Sequence, residues 1–182
     1  MILDLFQLNG RTALVTGARR GLGRGIAVGL AEDGADIACV SRSGEDTETR
    51  QQVEAAGRRF LDIQVDLADP DARAGLADRV ADELGPVDIL VNNAGGGGRQ
   101  PAETFSMDIW RHQLEVHLTA SFDLSQQAAA GMLERGRGKI INIGSVMTFQ
   151  GGVDIPAYAS AKHAVAGMTR ALAASWAGRG IN

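Results

Sequence analysis

The 182-residue sequence predicts an α/β fold, an open and doubly wound parallel sheet with helices on both faces. The first observation is that short apolar runs alternate along the chain with longer segments of helical spacing. The second is the length of those segments, which is about ten residues or more. Parallel strands need crossover connections of this length, whereas a tight turn is enough for antiparallel strands. We therefore expect residues 1–182 to form one domain.

Five strands are predicted, and each is a short apolar run that ends near a small or polar residue. The first run, TALVT, ends at Gly17, and the second, DIACVS, ends at Ser41. Near-continuous apolar runs are typical of parallel strands because helices cover both faces of the sheet. The predicted strands are 12–16, 36–41, 60–65, 87–91 and 139–143.

Five helices are predicted from apolar residues at helical spacing and from the glycines and proline at their ends. Pro70 stands at the first position of the third helix, where a missing N–H costs little. Gly57, Gly85 and Gly178 follow the second, third and fifth helices, as C-terminal caps commonly do. The predicted helices are 22–32, 46–56, 69–84, 106–133 and 156–177.

Composition and charge argue against several classes of function. The net charge of −4 favours no nucleic acid partner, and no stretch approaches the ~18 apolar residues of a membrane span. Cys39 is the single cysteine, so we expect no disulfide and a reducing, cytoplasmic location. The first residues carry Asp4 and no basic patch, unlike a signal peptide. Ile181 and Asn182 stand where another strand would start, so we expect further C-terminal strands.

A glycine-rich turn, TGARRGLG, joins the first strand to the first helix. Gly17, Gly21 and Gly23 allow a tight turn and a close approach of the backbone to a ligand. The free N–H groups and partial positive charge of the helix N-terminus suit a pyrophosphate. The spacing is G-x-x-x-G-x-G, which differs from the G-x-G-x-x-G fingerprint and from the P-loop. The alternative, a turn that only packs the helix on the strand, stays open.

The end of the second strand carries residues that bear on the choice of nicotinamide cofactor. An acidic residue there would bind the ribose 2′-hydroxyl of NAD. The sequence instead has Ser41 and Arg42, while Arg19 and Arg20 lie in the glycine-rich turn. Guanidinium groups bind phosphate well, so these residues predict NADP, with NAD as the second choice. Solvated surface arginines are the alternative interpretation.

Polar segments also follow the third and fourth strands. Asp66 and Leu67 come after the third strand, and the turn Asn92-Asn93-Ala94-Gly95 comes after the fourth. Both segments stand at the carboxyl ends of strands, where ligands bind in open α/β sheets. Asp66 could accept a hydrogen bond from adenine, and backbone groups of the turn could line the adenosine ribose. Ordinary polar turns are the alternative, with the asparagines bracing neighbouring strands.

Ser145 follows the fifth strand, and Tyr158 and Lys162 stand four residues apart on the last helix, on one helical face. An ammonium group beside a phenol favours the phenolate. Ser145 could donate a hydrogen bond to a substrate oxygen and align it with Tyr158. This set suits protonation of a carbonyl oxygen as a hydride arrives, or the reverse reaction. An exposed packing pair of tyrosine and lysine is the alternative.

The three histidines give no sign of a metal site. His112 and His117 are five residues apart, a spacing that does not share a face of an α-helix, and no His-Glu-x-x-His motif is present. We expect His112, His117 and His163 to make polar contacts or cap helices, with no bound metal.

Together these segments resemble the short-chain dehydrogenase/reductase family over essentially the whole chain. The segments are TGARRGLG at 16–23, the Asp66 turn, NNAG at 92–95, INIGS ending at Ser145, and YASAK at 158–162. The resemblance implies a Rossmann-like fold with Ser145, Tyr158 and Lys162 as the catalytic set. It also implies dinucleotide contacts by Gly17, Arg20, Gly21, Leu22, Gly23, Asp66, Leu67, Asn93, Tyr158 and Lys162. Arg19, Ser41, Arg42, Ala94 and Gly95 complete the set of predicted cofactor contacts.

The resemblance has one departure and two finer implications. His117 stands where the family usually has an asparagine that is thought to hold a water in a proton relay, so the role of this position stays open. The segments MILDLFQLNGRTALVTG, AAGRRFLDIQVDL and SVMTFQGG are similar to the sugar-acid dehydrogenases of the family. This similarity implies a small-molecule substrate such as a deoxygluconate. The family resemblance also implies a homotetramer built on helices 106–131 and 157–177.

Two other functions remain open from the sequence. One is a nucleotide-sugar epimerase or dehydratase, which also uses a Tyr/Lys pair with bound NAD. The other is a non-catalytic dinucleotide-binding module.

Overall fold

The computed structural model describes residues 2–44 and 47–182. The strands are β1 (Thr12–Thr16), β2 (Asp36–Ser41), β3 (Phe60–Gln64), β4 (Val87–Asn92) and β5 (Lys139–Asn142). The helices are α1 (Gly21–Glu32), α2 (Thr47–Ala55), α3 (Pro70–Arg73), α4 (Leu76–Leu84), α5 (Met107–Leu114), α6 (Ala120–Arg135) and α7 (Pro156–Trp176).

The five strands form one sheet in the order β3-β2-β1-β4-β5, and each neighbouring pair is parallel. In the middle of the sheet, Val15 of β1 lies between Cys39 of β2 and Val91 of β4. The direction in which successive strands are added reverses beside β1, which creates a crevice between the loops that follow β1 and β4. The predicted Rossmann-like, doubly wound parallel sheet is confirmed.

Helices cover both faces of the sheet and bury its apolar residues. On one face, Ala27 of α1 and Val53 of α2 are fully buried against the strands. On the other face, Val80 of α4 and Leu124 and Met132 of α6 are buried in the larger of the two apolar clusters. Burial of each large apolar side chain stabilises the fold by about 1.5–3 kcal/mol. The two layers hold the strands rigidly, so the loops at the carboxyl edge have fixed starting points.

The helix predicted over 69–84 is wrong as one element, because the chain forms α3 and α4 with a break between them. Ala74 is extended, with φ −61° and ψ 134°, and Gly75 is left-handed, with φ 67°. Only glycine adopts this left-handed conformation at little cost. The predicted start of this helix at Asp69 and Pro70 is confirmed, since the Asp69 side chain accepts hydrogen bonds from the Asp71 and Ala72 N–H groups.

The long helix predicted over 106–133 is also interrupted. A π-helical turn, Glu115–Thr119, stands between α5 and α6. A π turn has i→i+5 hydrogen bonds and inserts one residue into the helical ladder, and such turns are frequent at functional sites. The helix continues in the same direction, but the face that each residue presents changes at this turn.

The other boundaries differ from the predictions by a residue or two. The helix predicted over 46–56 begins at Thr47 in the structure, and Asp46 lies outside the described residues. Ile181 forms a parallel bridge with Gly138 beside β5. Among the described residues, no helix is both long enough and apolar enough to span a bilayer.

Candidate active site

A cleft of about 1730 Å³ opens at the carboxyl edge of the sheet. It is lined by the loops that follow all five strands, by α5 with the π turn, and by the start of α7. Every predicted cofactor or catalytic residue lines this cleft: Gly17, Arg19, Arg20, Gly21, Leu22, Gly23, Ser41, Arg42, Asp66, Leu67, Asn93, Ala94, Gly95, Ser145, Tyr158 and Lys162. The topology therefore brings together residues that are far apart in sequence.

The glycine-rich turn is packed tightly against the loop after β4. A Cβ atom on Gly17 would lie 2.9 Å from Cα of Ala94, and one on Gly23 would lie 2.2 Å from the Gly17 carbonyl oxygen. Asn93 fixes the contact, since its Nδ2 donates to the carbonyl oxygens of Thr16 (2.9 Å) and Gly17 (3.2 Å). For Gly17 and Gly23 the packing interpretation left open by the sequence is therefore correct. This packing is compatible with ligand binding, because it fixes the conformation of the turn that would hold the ligand.

The start of α1 offers backbone donors to a ligand. Arg20 is the N-cap residue and is extended, but its side chain does not cap the helix. Gly21 is left-handed, with φ 57°, and a Cβ atom there would meet nothing within 4 Å. The first N–H groups of an α-helix have no intrahelical acceptor, and together with the helix dipole they favour an anion. The turn therefore fits the pyrophosphate of a dinucleotide.

Arginines surround the end of β2. The Arg19 guanidinium donates to the carbonyl oxygen and hydroxyl of Ser43, while Arg20 and Arg42 are exposed on the cleft wall. Arg24 is engaged by Glu48 at 2.5 Å. Opposite charge near a phosphate strengthens binding through charge-assisted hydrogen bonds. The local charge at this corner fits a phosphate better than a neutral hydroxyl.

Hydrogen bonds hold the turn after β4 between three strands. Thr16 Oγ1 accepts from the backbone N–H groups of Asn93 and Ala94, each at 2.9 Å. Asn92 lies within 2.8 Å of Asn142 Oδ1 and 3.1 Å of Ser125 Oγ through its Nδ2. The expected bracing of neighbouring strands by these asparagines is therefore present. In the turn after β3, Asp66 Oδ1 accepts a hydrogen bond from the Ala68 N–H at 3.0 Å.

Ser145, Tyr158 and Lys162 line the same cleft. Ser145 Oγ accepts from the Met147 N–H at 3.1 Å, which leaves its hydroxyl hydrogen able to donate elsewhere. Tyr158 lies in the first turn of α7 and is half-buried. Lys162 Nζ donates to the Ile143 carbonyl oxygen at 2.5 Å and lies 5.8 Å from the centroid of the Tyr158 ring. Burial lowers the pKa of Lys162, which is only 5% exposed.

His117 lies against Tyr158 from the other side. The two ring centroids are 5.3 Å apart with an interplanar angle of 80°, an edge-to-face contact. His117 Nε2 lies 3.0 Å from the Gly96 carbonyl oxygen. Desolvation lowers the pKa of His117; the hydrogen bond to Gly96 opposes this, and the charge of Lys162 reinforces it. The imidazole is therefore neutral at pH 7.

His112 and His117 both line the cleft, although His112 is exposed and His117 is buried. No group of three or more histidine, cysteine, aspartate or glutamate side chains suited to a metal occurs in residues 2–44 and 47–182.

Gln113 is the wall residue that the sequence analysis missed. It is buried at 3% exposure, and neither Oε1 nor Nε2 has a hydrogen-bond partner within the described residues. Gln113 and His117 are four residues apart, so a polar pair at helical spacing in an otherwise mixed segment was the available signal.

Comparison with known proteins agrees with this geometry. The profile of the family described as "short chain dehydrogenase" matches residues 11–182. A 2-dehydro-3-deoxy-D-gluconate 5-dehydrogenase from Bacillus subtilis (strain 168) is 48% identical over 98% of this chain and 70% of that protein. One from Escherichia coli (strain K12) is 45% identical over 100% of this chain and 72% of its own length.

A solved structure has the same fold and an occupied cofactor site. It is the gluconate 5-dehydrogenase from Burkholderia cenocepacia J2315 in complex with NADP and tartrate. Its TM-score is 0.92 at 38% identity, and the match covers 100% of this chain and 72% of that one.

Proposed function

The chain belongs to the short-chain dehydrogenase family of NAD(P)-dependent oxidoreductases, and we propose that its substrate is a sugar acid such as gluconate or a deoxygluconate. In this proposal a secondary alcohol or carbonyl carbon of the sugar acid exchanges a hydride with the nicotinamide. The names of the relatives support the substrate class. The observation that carries the reaction type is the presence of Ser145, Tyr158 and Lys162 on the same cleft as the glycine-rich turn.

The protein residues divide the work of moving the proton. Ser145 donates its hydroxyl hydrogen to the substrate oxygen and so holds that oxygen near Tyr158. The Tyr158 hydroxyl gives a proton to the substrate oxygen during reduction and takes it back during oxidation. Lys162 is fixed by the Ile143 carbonyl oxygen, and its nearby charge stabilises the phenolate of Tyr158.

The cofactor site fits the dinucleotide by its donors and its shape. The uncapped start of α1 and the open side of Gly21 would hold the pyrophosphate, and Asp66 and the Asn93 turn would hold the adenosine. When bound, the nicotinamide supplies or accepts the hydride. Arg20 and Arg42, with Arg19, favour NADP over NAD because they would face a 2′-phosphate.

The reaction is tested by following the absorbance of the reduced nicotinamide with D-gluconate and both cofactors. We expect NADP to be reduced by the wild-type chain, and Tyr158→Phe to lose about 10²–10⁴-fold of the rate, the usual contribution of general acid–base catalysis. The Tyr158→Phe variant should still bind NADP, with an affinity lowered at most about tenfold, because at most one hydroxyl contact to the cofactor is lost. An unchanged rate in this variant would overturn the proposed role of Tyr158.

The same experiment separates the alternatives. A non-catalytic dinucleotide-binding module would bind NADP without reducing it. An epimerase or dehydratase would convert its substrate without a net change in free cofactor.

Assembly, location and extent remain proposals of the same kind. We propose a homotetramer on helices 106–131 and 157–177, a cytoplasmic location, and a single dinucleotide-binding domain over 1–182. Light scattering on the purified protein measures the assembly directly.

A further inference from the structure

Three buried polar atoms on the wall of the cleft have no hydrogen-bond partner within the described residues. They are Oε1 and Nε2 of Gln113 and Nδ1 of His117. Both side chains line the cleft and are more than nine-tenths buried, with 3% and 4% exposure. Folded proteins pair almost all such groups, because an unpaired buried donor or acceptor loses its hydration without compensation. Three of them on one wall therefore point to a polar partner outside the chain.

The hydrogen-bond roles of these atoms follow from their neighbours. The Gly96 carbonyl oxygen can only accept, so Nε2 of His117 carries the hydrogen of that 3.0 Å contact. A neutral imidazole has one N–H, which leaves Nδ1 as an acceptor. Gln113 offers an acceptor at Oε1 and two N–H hydrogens at Nε2. The wall therefore presents two acceptors and one donor group.

A glycine strip runs along this wall. A Cβ atom on Gly97 would lie 3.9 Å from Cδ2 of Tyr158, and one on Gly98 would lie 3.5 Å from Nε2 of Gln113. The strip thus passes at contact distance along the reactive phenol and the unpartnered amide without placing a side chain between them. A ligand held at Gln113 would adjoin a group held at Tyr158.

We propose that Gln113 and His117 form a subsite that binds hydroxyl groups of the substrate next to the reacting carbon. This inference rests on the proposed function and specifies which part of the sugar acid the wall recognises. A hydroxyl group both donates and accepts, so neighbouring hydroxyls can satisfy all three atoms. A carboxylate only accepts, and it would meet the lone pairs of Nδ1 and Oε1. An apolar chain would leave all three atoms unpaired. Gln113 is thereby a specificity-determining residue.

The test compares two ligands that differ only in the relevant groups. D-gluconate and 5-hydroxyhexanoate share the carboxylate, the chain length and a secondary alcohol at carbon five, but 5-hydroxyhexanoate lacks the other hydroxyls. Calorimetry on the protein saturated with NADPH, which cannot oxidise either alcohol, measures the affinity for each ligand. The variant is Gln113→Met, which keeps the length and helix propensity of glutamine. Gln51→Met, on an exposed position of α2, makes the same replacement outside the cleft.

We expect the wild-type protein to bind D-gluconate more tightly than 5-hydroxyhexanoate. Gln113→Met should lower the affinity for D-gluconate about tenfold, which corresponds to the loss of one to two net hydrogen bonds. The affinity of this variant for 5-hydroxyhexanoate and for NADP should be unchanged. Its Tm should be at least that of the wild-type protein, since an unpaired amide is removed. Gln51→Met should change neither affinity.

Either of two results overturns the subsite. One is a wild-type affinity for D-gluconate no higher than for 5-hydroxyhexanoate. The other is an equal effect of Gln113→Met on the two ligands, including no effect on either. Failure of the proposed function looks different, because the wild-type protein would then bind D-gluconate through Gln113 without reducing NADP.

Discussion

Replacement of Gly23 by alanine should both destabilise the fold and close the cofactor site. Gly23 is buried in the first turn of α1, and the added methyl group would lie 2.2 Å from the Gly17 carbonyl oxygen and 2.5 Å from Asn93 Nδ2. Ordinary contact begins at 3.4 Å, so the neighbours must move by more than an ångström. The closest neighbour is backbone, which cannot rotate out of the way.

The expected magnitude follows from these contacts. Overpacking of this kind costs about 1–3 kcal/mol. Displacement of Asn93 also threatens its two hydrogen bonds to Thr16 and Gly17, worth about 1 kcal/mol each. The higher helix propensity of alanine returns about 0.5–1 kcal/mol. The free energy of unfolding should therefore fall by about 2–4 kcal/mol, which corresponds to a decrease in Tm of about 4–16 °C.

Gly25 provides the matched control two residues along the same helix. It is exposed, and a Cβ atom there would meet nothing within 4 Å. Gly25→Ala should raise stability by about 0.5–1 kcal/mol and leave NADP affinity unchanged. Urea unfolding without cofactor measures stability, and calorimetry measures NADP affinity. If Gly23→Ala unfolds at the same urea concentration as Gly25→Ala, close packing is not the reason for glycine at this position.

Three further predictions concern the cleft. Burial lowers the pKa of His117, so the unfolded chain binds a proton there that the folded chain does not. The free energy of unfolding that this group contributes above pH ~6.5 should be lost as pH falls towards the folded-state pKa, with a slope of at most ~1.4 kcal/mol per pH unit. Urea unfolding of His117→Gln should lack this pH-dependent contribution. Gly95→Ala would place a Cβ 2.0 Å from His117 Cε1 and should destabilise the fold. The loss in the free energy of unfolding, measured with urea, should be smaller by about 1–3 kcal/mol when His117 is also replaced by alanine. Additive effects of the two substitutions would contradict the contact. Arg42→Ala should raise the KM for NADP several-fold, by about 1 kcal/mol of lost charge-assisted binding, and leave the KM for NAD unchanged; an equal change for both cofactors would contradict a role at the 2′-phosphate.

The strands were predictable because burial on both faces leaves a simple pattern. The run TALVT at β1 has no charged residue, and each of its residues is buried. The residues after the strands were predictable for a related reason, since parallel topology gathers all carboxyl ends at one edge. Asp66 and Asn93 therefore lie on one cleft although they are 27 positions apart in the sequence.

The break at Gly75 was harder to predict because the helical pattern continues across it. Leu76, Val80 and Leu84 keep the apolar spacing of one amphipathic helix, and all three are buried. A single interior glycine lowers helix stability by only about 1 kcal/mol, so it does not by itself announce a break. The extended backbone of Ala74 and the left-handed backbone of Gly75 break the helix, and α3 and α4 both pack against α6.

The π turn has a geometrical consequence that accounts for the position of the proposed subsite. The cleft is lined by pairs of residues on this helix that repeat every four positions: 108–109, 112–113 and 116–117. In an α-helix, with 3.6 residues per turn, a four-residue repeat drifts by ~40° each time. A turn with i→i+5 hydrogen bonds over Glu115–Thr119 widens the helix at His117 and reduces this drift. His117 can then contact Tyr158 while Gln113, one turn earlier, still faces the same cleft. The inserted residue cannot be predicted from the spacing of apolar residues, because it reorients polar residues that line the cleft and do not pack in the core.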